Sequence, residues 1–153
     1  MSGEGGGQEL VVVGVDGSAE SVAALRWAAR YATATGARVQ ALLAWHYPTA
    51  ASVPPVGVAP ESVRSQTEAQ MHETLDEAIA KAYESQEGAG AEKVTAYGHP
   101  AEVLIETSRD ADLLVLGSHG HGAFTGMLVG SVSIHCVTSA FCPVVVIRHS
   151  NGD

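Results

Sequence analysis

A chain of 153 residues, 46% hydrophobic and with a formal net charge of −9, is long enough to bury one core and most simply forms one domain. Eight basic residues against 17 acidic ones exclude a broad nucleic-acid footprint, which needs Lys and Arg to neutralise phosphates. No apolar run approaches the ~20 residues needed to cross a bilayer, which excludes a spanning helix.

The opening MSGEGGGQE has no basic region followed by an apolar stretch, so residues 1–8 are expected to be a flexible lead-in and not a secretory signal. The domain itself is expected over 9–149, with 150–153 as a tail. From there LVVVGV (10–15) is a first strand, and Ser18 is a good N-cap for a helix whose Val22, Leu25, Ala29 and Ala32 recur on one face. RVQALLAW (38–45) is a second strand. The segment YPTAASVPPVGVAP (47–60), with four prolines, is a loop at the carboxyl end of that strand, readable as a connector or as a lid. A helix over 61–87 carries the stripe Met71, Leu75, Ala78, Ile79 and Ala82. KVTAY (93–97) is a third strand. Pro100 opens a helix lined by Ala101, Leu104, Ile105 and Ser108. DLLVLG (112–117) is a fourth strand, a last helix runs from about Gly130 to Ala140, and PVVVIR (143–148) is a fifth strand. Cys136 falls in that helix and Cys142 beside Pro143. Two cysteines are too few for a disulfide framework and are expected to be reduced packing residues in a reducing, cytoplasmic setting.

Regular strand–helix alternation predicts an α/β fold with a parallel sheet covered on both faces. In such a sheet ligands bind beyond the carboxyl ends of the strands.

The segment DLLVLGSHGHGAFTGMLVGSVSIHCV (112–137) carries the chemistry. A strand ends at Leu116, glycines follow at 117, 120, 122, 126 and 130, and a helix begins at Ser131. A Walker loop is absent, because Gly122 is followed by Ala123 and Phe124. The dinucleotide pattern also fails, since Thr125 stands where its third glycine is required. What remains is a glycine-rich turn into a helix amino terminus bearing Ser131 and Ser133, where backbone N–H groups suit an anion. The plain alternative is a loop whose glycines only turn the chain. Asp16 closes the first strand, either as a ligand for a ribose hydroxyl or a phosphate-bridging metal, or as a turn residue.

These residues resemble the universal stress protein family, in its ATP-binding branch. The spacing Gly117-x2-Gly120-x9-Gly130-Ser131 matches that family's nucleotide signature, and VVVGVDGSAES, PAEVLIETSRDADLLVLGSHG and CPVVVIR resemble its other segments. The resemblance implies a three-layer α/β/α sandwich, Rossmann-like, with a five-stranded parallel sheet of order 3-2-1-4-5. It implies ATP, or ADP or AMP, with Mg2+ or Mn2+ on the phosphates. Asp16 would contact ribose and phosphate and, weakly, the metal, with Val15 beside it. Ala44 and Leu116 would flank adenine. Gly117, His119, Gly120 and Gly130 would line the phosphate path, with Ser131, Val132 and Ser133 at the helix start. His121 stands where many relatives carry Arg, so the permanent charge of that position is absent here. The resemblance also implies a homodimer through 143–148, an edge strand that needs covering.

The expected function is a nucleotide-binding stress-response or regulatory protein. The alternatives are a slow ATPase or phosphotransferase, or an AMP or cyclic-AMP sensor using the same pocket. Phosphoryl transfer needs a positioned base, a metal and cationic help, and between Lys93 and Arg148 only Arg109 is basic.

Overall fold

Branched side chains crowd a helix but pack well on a pleated face, so the Val- and Leu-rich runs become strands. The computed structural model describes residues 7–46, 61–84, 90–119 and 129–148. Within these, β1 (Leu10–Gly14), α1 (Ala19–Thr35), β2 (Arg38–Trp45), α2 (Glu61–Tyr83), β3 (Glu92–Tyr97), α3 (Pro100–Thr107), β4 (Leu113–Gly117), α4 (Ser131–Ser139) and β5 (Val144–Ile147) follow in order. All the strand pairings are parallel, and the sheet order is β3-β2-β1-β4-β5. The expected loop over 47–60 lies outside the described residues.

The alternation of strand side chains divides the core into two layers. Val11, Val13 and Val115 pack with Leu25 of α1 and Leu75 of α2. Val12, Leu114 and Leu116 pack with Leu104 of α3 and Cys136 of α4. Helices therefore cover both faces of the sheet, which makes a three-layer α/β/α sandwich. Val11, Val12 and Val13 have no exposed surface, and burying each such side chain contributes about 1.5–3 kcal/mol.

The expected helical stripes face this core. Met71, Leu75, Ala78, Ile79 and Ala82 all belong to the α1–α2 layer. α2 ends at Tyr83, short of the expected 87, and Glu84 is already in a turn. α1 starts on Ser18, whose side chain accepts from Ser21 N–H. It stops at Gly36, where φ of 79° suits glycine and the backbone N–H returns to Ala32 O. Cys136 and Cys142 are both free thiols, and burial raises the Cys136 pKa to about 11, so it packs as a small apolar group.

One core group is left over. The Tyr83 hydroxyl is buried with no hydrogen-bond partner among the described residues, and burial raises its pKa. An unsatisfied buried hydroxyl costs free energy that a ring of the same shape avoids. Tyr83→Phe is expected to stabilise the fold by about 1 kcal/mol, read as a higher urea midpoint at unchanged m-value. A lower midpoint would show that the hydroxyl has a partner in the folded protein.

Candidate functional site

The chain leaves β1 toward β2 on one side, while β4 leads to β5 on the other. At such a reversal the connections diverge and open a crevice beyond the carboxyl ends. Asp16 follows β1 and Ser118 follows β4, so these two residues border the same crevice.

On the β1 side, Asp16 is exposed and opens the turn into α1. Its Oδ1 accepts from Ser18 N–H at 2.9 Å and from Ser18 Oγ at 2.5 Å. Its own N–H donates to Ser21 Oγ at 3.4 Å. Gly17 takes the positive φ of 86° that the turn requires. Asp16 is thus held by the helix cap beside it. Val15 is buried and donates its N–H to Leu42 O at 2.9 Å. Ala44 is half-buried near the end of β2.

On the β4 side, Ser118 is only 2% exposed, and both its backbone groups are bonded. Its N–H donates to Ile147 O at 2.8 Å, and its carbonyl accepts from Gly130 N–H at 2.5 Å. The second bond draws the start of α4 to the end of β4. Gly130 is the α4 N-cap, extended at φ −73° and ψ 165°, without a side-chain cap bond. No acidic residue lies in the first turn of α4. The first N–H groups of a helix have no intrahelical acceptor, and those of Ser131, Val132 and Ser133 meet none elsewhere among the described residues. With the helix dipole, they make a local positive end.

The individual residues differ in what they present. The Ser131 side chain is exposed at the first helical position. Ser133 is buried, and its Oγ donates to Gly117 O at 2.7 Å, which commits that hydroxyl proton within the protein. Val132 packs against the α3–α4 layer. His119 Nδ1 lies 3.1 Å from Ser118 Oγ. Leu116 is 3% exposed with its side chain in the core and its backbone in the ladder with β5, so the side chain expected beside adenine is packed away from the crevice. Gly120 and His121 lie outside the described residues.

Gly117 has a reason that sequence reading misses. A Cβ there would stand 2.7 Å from the Glu20 backbone carbon and 2.8 Å from its carbonyl oxygen. The missing side chain lets the first turn of α1 lie against the end of β4. Ser118 was also missed, because its role is carried by its backbone and no residue type announces that. Among the described residues, no three His, Cys, Asp or Glu side chains converge on a metal position.

Residues 9–148 match the model of the Universal stress protein family. A universal stress protein of Mycolicibacterium smegmatis is 36% identical over 138 residues, which are 90% of this chain and 45% of that relative. One of Mycobacterium tuberculosis is 35% identical over 140 residues, 92% of this chain and 45% of its own length. The chain thus spans about half the length of the curated relatives it matches. A universal stress protein solved in complex with cAMP shares 26% identity and superposes with a TM-score of 0.69, covering 94% of this chain and 98% of that one.

The contact at Gly117 generates a prediction about stability. Gly117→Val forces α1 or β4 to shift, because the obstructing atoms are backbone, and overpacking of this kind costs roughly 1–3 kcal/mol. Thermal unfolding without any added nucleotide is expected to show the loss. An unchanged melting temperature would mean that the α1–β4 contact is loose.

Proposed function

The chain belongs to the universal stress protein family, and on that premise we propose that it binds an adenine nucleotide, ATP in particular, in the crevice between β1 and β4. The observation carrying this reading is the uncapped amino end of α4, tied by Gly130 N–H to Ser118 O at 2.5 Å. Helix-start N–H groups together with the dipole suit phosphate. Asp16, across the crevice, is suited to a ribose hydroxyl or a phosphate-bound Mg2+. Ala44, near the end of β2, would leave room for the base.

The protein's task is then to bind and report nucleotide, in a cytoplasmic stress response, and not to transfer phosphate. Phosphoryl transfer needs a positioned base besides cationic help, and Asp16, the acid that borders the crevice, has its Oδ1 engaged by Ser18 N–H and Ser18 Oγ. A second reading is a cyclic-AMP sensor. The observation favouring it is the relative at 26% identity, whose structure holds cAMP.

Isothermal titration of nucleotide-free protein with ATP, ADP, AMP and cAMP, with and without Mg2+, separates these readings. Ser131→Glu is the informative variant, because its exposed carboxylate would occupy the α4 amino end. It should raise the melting temperature slightly through the dipole and abolish nucleotide binding. ATP binding that survives Ser131→Glu would remove α4 from the site, and preference for cAMP would install the second reading. No binding of any nucleotide by the folded wild type would overturn both.

We also propose that a second copy of the chain pairs along β5, the terminal strand of the sheet. Its four residues are Val, Val, Val and Ile, and nearby Ile134, Val137 and Phe141 are about half-exposed. An exposed apolar edge is normally paired or covered. With Leu114 N–H bonded to Pro143 O and Ser118 N–H to Ile147 O, the parallel pattern turns Val146 N–H away from β4. Val146→Pro should leave the inner ladder intact and convert a sedimenting dimer to monomer. A wild type that sediments as monomer would refute the pairing.

A further inference from the structure

A phosphate group at the amino end of α4, near Ser118, would meet backbone dipoles but no permanent charge from its own segment, since the sequence from 117 to 133 holds no Lys or Arg. The tertiary structure brings a cation to this place from a distant part of the chain. Ile147 lies opposite Gly117 in the β4–β5 register, and its carbonyl accepts from Ser118 N–H at 2.8 Å. Arg148 is the next residue, so it stands at the carboxyl edge beside Ser118. The other backbone group of Ser118 holds Gly130, the α4 N-cap, at 2.5 Å. Two backbone hydrogen bonds therefore link Arg148's immediate neighbour to the uncapped helix end.

Strand alternation gives the side. Val145 and Ile147 pack in the α1–α2 layer, whereas Val144 packs in the α3–α4 layer. The same alternation carried one residue further places Arg148 on the face that α4 covers. Arg148 is exposed. Arg26, Arg38, Lys93 and Arg109 each face a carboxylate, but Arg148 enters no ion pair among the described residues.

We propose that Arg148 is a specificity-determining residue of the nucleotide site, contacting the outer phosphates of a nucleoside triphosphate and setting its preference over monophosphates. The proposal rests on the nucleotide reading above. A guanidinium is always charged, and its planar fork matches phosphate oxygens bidentately. A phosphate seated at the α4 amino end needs no such partner, and a cyclic monophosphate has no further phosphates to offer one. Pairing of β5 with a second copy would use in-plane backbone groups, whereas strand side chains stand perpendicular to the sheet. Both roles therefore coexist on one strand.

The test is titration of wild type, Arg148→Gln and Arg148→Lys with ATP, AMP and cAMP at physiological salt, with melting temperatures to confirm folding. Arg148→Gln should weaken ATP roughly tenfold, the scale of one hydrogen bond to a charged group, and leave AMP and cAMP unchanged. Arg148→Lys should retain part of the ATP affinity. Equal weakening of ATP and AMP, or no change in either, would overturn the proposal while nucleotide binding stands. A wild type that binds no nucleotide would overturn it together with the reading it rests on.

Discussion

Ser118 lies almost wholly buried at the end of β4, and buried backbone groups must find partners within the protein. Its N–H takes Ile147 O and its carbonyl takes Gly130 N–H. These two bonds set where β5 ends and where α4 begins. One residue earlier, Gly117 lets the Glu20 backbone come within what would be Cβ contact, which sets the approach of α1. Three elements from both faces of the sheet thus converge on two consecutive residues. The described borders of the crevice follow from this convergence.

Two helix amino ends meet near this point, and they are electrostatically unlike. α1 is complemented by its own residues: Ser18 caps it, Asp16 bonds to that cap, and Glu20 adds a carboxylate in the first turn. α4 starts on Gly130 with no side-chain cap and no acid. A chain with net charge −9 would repel a polyanion at long range, but screening confines that field to about a Debye length, ~8 Å at physiological salt. Within the crevice, the uncompensated α4 end is what an incoming anion would meet. Net charge therefore argues against extended nucleic-acid surfaces without excluding a small phosphate ligand.

The glycines illustrate how one residue type carries different physical reasons. In the sequence, Gly117 and Gly130 read alike, as backbone open to an anion. In the structure Gly117 serves helix packing, with its obstruction coming from α1, while Gly130 serves as an extended N-cap. Leu116 and Ser133 show the same limit. Both fall inside the expected site, yet Leu116 places its side chain in the core and Ser133 donates its hydroxyl to Gly117 O. Spacing singles out a segment without revealing which atoms within it stay available.

Strand and helix order and the buried faces of the helices were legible in the sequence, because branched runs, helical periodicity and caps are local. Resemblance supplied the strand order, which local patterns alone leave open. The reason for Gly117, the backbone role of Ser118 and the placement of Arg148 next to Ser118 were decided only by tertiary structure. Each depends on groups distant in the chain, Glu20 against Gly117 and Ile147 against Ser118. Steric exclusion and backbone hydrogen bonding act through space, and a backbone group carries no residue-specific mark in the sequence.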